Sequence, residues 1–209
     1  GIVPHAARRR LTARYLSLAR AMIGAGPGRD AMLVWWIGAI AIVVVAAVVF
    51  VFNDLIAARN QVRAAWSDID VQLTRRHDLV PQLVAAVQGY ASYERATLTT
   101  VTELRSRAVA AASLADKAEV EGELGKEIDR ILALQERYPD LKASDSFLAL
   151  QRELVEIEDH LQYARRFYNG AVRDLNTKIE TFPALLVART LAFKPAEFFR
   201  SGADQEAPA

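Results

Sequence analysis

Apolar residues fall along this chain in two distinct patterns, and the change from one to the other organises the molecule. From Ala31 to Phe52 the sequence runs AMLVWWIGAIAIVVVAAVVFVF, 22 residues without a charge. At ~1.5 Å per helical residue the run reaches ~33 Å, enough to cross the ~30 Å hydrocarbon layer of a bilayer. It is too long for the apolar core of a cleaved signal peptide, and nothing like a small-residue cleavage site follows it. The run predicts a transmembrane helix, with Trp35 and Trp36 near one end as candidate membrane-interface contacts.

After Phe52 the apolar positions recur with the period of a helix. Leu55, Val62, Trp66, Ile69, Leu73 and Val80 share one stripe, and no Gly or Pro separates them from the membrane run. Pro81 lacks an amide hydrogen and disfavours helix at Val80, so the pattern predicts a break or kink there. A second helix is expected over about 81–112, with Val84, Val87, Ala91, Leu98 and Val101 inward. A third is expected over about 114–137, with Leu124, Ile128, Ile131 and Tyr138 inward. YPDLKASDS (138–146) reads as a loop in which Ser144 or Asp145 caps the next helix. The fourth helix, about 146–182, carries Phe147, Leu150, Leu154, Ile157, Leu161, Ala164 and Tyr168, then Val172, Leu175, Ile179 and Phe182. The two successive steps of four around Tyr168 are a stutter in a coiled-coil-like seam.

With no strand alternation, the fold class is all-α: a single N-terminal transmembrane helix continuing into an elongated antiparallel four-helix bundle. The expected divisions are a basic segment (1–30), the span (31–52), the bundle (53–182), an apolar segment (183–200) and a disordered tail (201–209). An up-down-up-down path returns the fourth helix to the membrane and sets the apolar segment near the bilayer. Two readings of that segment stand: it folds back over the end of the bundle, or it touches lipid through Phe193, Phe198 and Phe199.

Charge adds direction. Six arginines and one acid lie in residues 1–30, whereas residues 53–209 hold 20 basic against 24 acidic residues. With its basic charge confined to the first 30 residues, the chain does not look like a nucleic-acid binder. Positive charge stays in the cytoplasm, which puts the N-terminus inside and the bundle outside. Leu11, Tyr15, Leu18 and Met22 form a stripe among the arginines; it can lie on an anionic membrane, or the segment can serve only as a basic tail that sets topology.

Candidate chemistry is sparse. There is no cysteine, and none of the HExxH, GxSxG, Walker or GxGxxG patterns occurs. His77 and Asp78 are neighbours on a helix and point apart, so they cannot act as a pair. One metal arrangement can be drawn, His160 with Glu156 and with His77 across the bundle, but two histidines and a carboxylate arise easily by chance. Neither a metal nor another cofactor is expected. Polar residues near the seams are either plain solvated faces or candidate interaction or register positions: Arg75 and Arg76, the latter between Leu73 and Val80, and Asn169 and Asn176, seven apart on one helical face.

Three blocks carry a resemblance: AWSDIDVQLTRRHDLVPQLVAAVQGYASYE (65–94), ERYPDLKASDSFLALQRELVEIE (136–158) and ARRFYNGAVRDLNTKIETFP (164–183). In their order and spacing they resemble the LemA family of bacterial membrane proteins, over about residues 53–199. The resemblance implies a single-span protein with a long antiparallel bundle, no catalytic residues and a structural or organising role, with one branch connected to formation of magnetosome membranes. It implies location in the bacterial inner membrane, or in a magnetosome-like internal membrane. The family's topology has been assigned in both directions, so the opposite orientation stays open. Family members usually have very few residues before the span, where this chain has about 30. The expected partners are the lipid bilayer, further copies of the chain and a protein of unknown identity. Two functions follow as expectations: a non-catalytic, self-associating scaffold that organises membrane or partner proteins, or an adaptor whose basic N-terminus engages a cytoplasmic partner.

Overall fold

The computed structural model of the chain describes residues 28–91 and 94–200. The basic-segment and tail readings fall on residues 1–27 and 201–209, outside the described residues. Among the described residues regular structure is entirely helical: α1 (Arg29–Gln88), α2 (Arg95–Ala110), α3 (Leu114–Ala133), α4 (Pro139–Lys142), α5 (Asp145–Glu180) and α6 (Ala184–Thr190). A single 3₁₀ turn, Leu134–Glu136, follows α3. The chain divides into two compact units, residues 1–50 and 51–209.

In the first unit every side chain from Met32 to Phe50 is exposed, including Trp35 at 81% and Trp36. This part of α1 is long and apolar enough to cross a membrane. Its side chains give one another no core to enter, which is the pattern expected of a surface whose solvent is lipid.

The second unit is built on two long antiparallel helices. Their partners march in opposite directions: Asp54 with Lys178, Trp66 with Tyr168, Arg76 with Glu158. At the end that carries the α1–α2 and α3–α5 connections, α2 and α3 complete a four-helix core. Val80, Leu83, Val87, Val101, Leu124, Ile131, Leu141 and Phe147 are buried there. Toward Phe52 only α1 and α5 remain of the four, and the C-terminal segment takes the missing place, burying Leu55, Ile69, Leu73, Leu161, Val172, Ala188 and Phe199. Each fully buried aliphatic or aromatic side chain contributes ~1.5–3 kcal/mol relative to exposure, so both halves have a substantial apolar drive.

Several boundaries differ from expectation. Pro81 does not end a helix: α1 runs through it to Gln88, and a turn follows at 89–90. The sequence 138–146 holds a one-turn helix opened by Pro139, after which the Ser144 hydroxyl accepts from the Phe147 amide and caps α5. Ser113 caps α3 in the same way, accepting from Asp116 N at 3.0 Å. Phe182, read as the last inward position of the seam, is 80% exposed, because α5 ends at Glu180 and the chain turns before the stripe can reach it.

Candidate functional site

Between the two apolar halves lies a layer of buried charge. Arg76 is 3% exposed and Glu121 fully buried, with His77 buried beside them. The Arg76 guanidinium pairs with Glu121 through Nη1 and Oε2 at 3.6 Å and with Glu158 through Nη2. His77 Nε2 lies 2.6 Å from Glu121 Oε1. Helix α1 supplies Arg76 and His77, α3 supplies Glu121 and α5 supplies Glu158, so the cluster ties three helices at one height. Burial pushes the Arg76 guanidinium below its ordinary value, and Glu121 works against that shift.

The layer forms where the helical stripes carry complementary charges. Arg76 follows Leu73 by three and precedes Val80 by four; Glu121 follows Ala118 by three and precedes Leu124 by three. Both therefore point inward with their apolar neighbours. Gly125, one turn on from Glu121, faces the guanidinium, and a Cβ there would stand in ordinary contact with Nη1 at 3.8 Å. Between α3 and α5 a cleft of about 570 Å³ opens above this layer, lined in part by Arg76, Glu121, Asp129, Glu158 and Arg165.

One contact explains how α1 tolerates its proline. Pro81 has no amide hydrogen to offer the His77 carbonyl one turn back. Arg105 of α2 donates to that carbonyl instead, Nε to O at 2.6 Å. The guanidinium restores from another helix the bond that the proline removes.

The two asparagines act together on the C-terminal segment. Asn176 donates to Ala196 O at 3.0 Å and accepts from Ala196 N at 2.8 Å. Asn169 does the same with Phe199, at 3.0 and 2.9 Å. Tyr168 donates through its hydroxyl to Glu197 O at 2.9 Å. Three side chains of one helix thus satisfy backbone groups of an extended strap that has no neighbouring strand. The strap leaves α6 through Ala192, whose φ of 52° lies in the left-handed region, while Phe193 N donates to Ala188 O at 2.9 Å. This closes a Schellman-type cap with alanine where glycine is usual.

Of the residues singled out in the sequence, Arg76 enters the charged layer and Arg75 faces solvent. Asn169 and Asn176 grip the strap. Phe199 is corrected from a lipid contact to a core residue: it is 1% exposed, 5.7 Å from Trp66 between ring centroids and capped by the Arg165 guanidinium at 5.2 Å. Phe193 and Phe198 are half-buried, Phe193 edge-on to Phe52 at 6.3 Å and Phe198 under the Arg200 guanidinium at 5.4 Å. The reading in which the segment folds back onto the bundle is the one the structure adopts for residues 193–199. His77 is occupied by Glu121, while His160 stands on the exposed surface 3.7 Å from Glu156. Sequence reasoning missed Glu121 and Arg105; for Glu121 the signal was its place on the α3 stripe, opposite in sign to Arg76.

Comparison with known proteins places this geometry. Residues 65–209 match the LemA family. The chain is 31% identical over 153 residues to the protein LemA of Metamycoplasma hominis, covering 71% of this chain and 68% of that protein. It is 24% identical over 213 residues to magnetosome protein MamQ 2 of Paramagnetospirillum magneticum, covering 90% and 76%. It is 22% identical over 174 residues to magnetosome protein MamQ of Magnetospirillum gryphiswaldense, covering 71% and 64%. With a family match across well over half of its length and an apolar helix ahead of it, this membrane-associated helical chain belongs to the LemA family.

Proposed function

We propose that the chain is a single-pass, membrane-anchored scaffold that self-associates and organises membrane or partner proteins without catalysing a reaction. The observation that carries this reading is helix α1 itself, in which the uncharged run and the first bundle helix are one element, Arg29–Gln88. A domain mounted directly on its anchor, with no linker, suits transmission of position or spacing. The charged layer supports the non-catalytic part of the reading, because buried Arg76, His77 and Glu121 are engaged with one another and with half-buried Glu158 across helices. Such layers fix register and pairing in helical assemblies. Relatives bearing the name magnetosome protein favour an inner or magnetosome-like internal membrane. The arginines before the span favour a cytoplasmic N-terminus.

Light scattering on the detergent-solubilised full chain tests self-association: oligomers are expected at membrane-like concentrations, and a strictly monomeric species removes that part of the reading. A second reading, an adaptor whose basic first 30 residues bind a cytoplasmic partner, rests on the six arginines there. Deleting them separates the two. The scaffold keeps its assembly, whereas the adaptor loses its partner in cross-linking recovery.

A further inference from the structure

The segment after α5 places an apolar corner at one defined height on the bundle. Leu186 and Arg189, three apart on α6, share one outward face, with Phe182 just before the helix and Leu191 just after it. Phe182 is 80% exposed, Leu186 59% and Leu191 52%. The other face of α6, Val187 and Ala188, is buried in the core. Two contacts fix the height of the corner. Phe193 meets the Phe52 ring, and Lys178 pairs with Asp54 at 2.6 Å. Phe52 is the last residue of the uncharged run and Asp54 the first acid after it. The segment therefore lies level with Phe52, where the uncharged run ends.

We propose that Phe182, Leu186 and Leu191 form a lipid-contacting surface that seats the bundle on the interfacial zone of the bilayer, with Arg189 reaching the lipid phosphates. The inference rests on the membrane-anchored reading above and names where the folded domain meets lipid. Apolar side chains exposed at this height lose contact with water when they enter the interface, which favours their insertion. Arg189 stands on the same exposed face, where its aliphatic stem can lie along the apolar side chains while the guanidinium stays among headgroups. A lipid surface fits better than a second copy because the segment touches Phe52, the residue at which the uncharged run ends.

The chain has no cysteine, so single-cysteine variants carry a unique label. The full chain is labelled with an environment-sensitive fluorophore at position 44, 155 or 186, in phosphatidylcholine–phosphatidylglycerol vesicles containing a spin-labelled quencher lipid. V44C reports the apolar run and V155C an exposed position on α5 in the charged-layer region. L186C is expected to be quenched severalfold more than V155C, alongside V44C. Quenching at 44 with 186 no different from 155 overturns the corner and leaves the anchor intact. Quenching at neither 44 nor 186 overturns the membrane-anchored reading and this inference with it. Excimer formation at 186 between copies carrying a pyrene label, without lipid quenching, overturns the proposal in favour of a protein–protein contact.

Discussion

A buried guanidinium makes Arg76 the residue most sensitive to its partners. Replacing Glu121 by Ala leaves the buried guanidinium with Glu158 as its remaining partner and takes the acceptor from His77, which should cost ~1–3 kcal/mol. The double change Arg76→Met with Glu121→Leu removes both buried charges at similar volume, though it leaves His77 without its acceptor, and is expected to cost less than Glu121→Ala alone. Urea unfolding of the full chain in detergent, followed by circular dichroism, distinguishes the two; equal destabilisation by both sinks this account of the layer. Arg75→Ala, on the exposed face, should stay within ~0.5 kcal/mol of the wild type. The link between Arg105 and Pro81 calls for a double-mutant cycle. Arg105→Ala leaves the His77 carbonyl unpaired and should cost ~1–3 kcal/mol. In a Pro81→Ala background the helix supplies its own amide, and the cost should fall sharply. Identical costs in the two backgrounds would contradict the substitution of one bond for the other.

At the scale of elements, the strap acts as a third wall for two helices that have no other cover. Asn169→Ala and Asn176→Ala each leave two strap backbone groups without their partners, and each should cost ~1–3 kcal/mol. Amide exchange should quicken at Ala196 for Asn176→Ala and at Phe199 for Asn169→Ala, while the buried amides of α2 and α3 keep their protection. Tyr168 adds a pH signature. Burial, reinforced by Glu197, raises its hydroxyl above the ordinary value of 10.0. The unfolded chain therefore ionises first, so the stabilisation is complete below about pH 10 and is lost as pH rises through the higher folded value. Subtracting the alkaline stability profile of Tyr168→Phe from that of the wild type should leave this slope. A flat difference means that the hydroxyl does not titrate with folding.

Over the whole molecule, the legible features were those encoded by local periodicity. The apolar run and the stripes of α1, α3 and α5 repeat within a few residues, and the inward positions from Leu55 to Ile179 are buried with few exceptions, Trp66 among them. The helix break at Pro81 failed because the compensating donor, Arg105, comes from a different helix. Phe199 failed for a related reason: its burial depends on Asn169, Trp66 and Arg165, none of them near it in sequence. Asn169 and Asn176 were singled out by their shared face, but spacing alone could not show that they hold backbone. The proposed self-association belongs to this scale, and deletion of residues 183–209 tests it. Removing them uncovers Trp66 and Tyr168, so the deletion should shift tryptophan emission to the red and weaken assembly. Unchanged assembly with the expected shift would confine the strap to folding.

Tyr168 and Trp66 also mark a matter of timing. The Phe199 ring packs on Trp66, 133 positions earlier in the chain. On a ribosome adding ~5–20 residues each second, the helix pair beside the anchor is made early and late, and its last wall is made later still. The four-helix end can condense while synthesis continues, since all of its parts precede Leu161. The end toward Phe52 closes only when the strap emerges. A nascent chain therefore carries an open aromatic groove until residues 193–199 are made, and any chaperone acting during biogenesis meets that groove before the finished protein hides it.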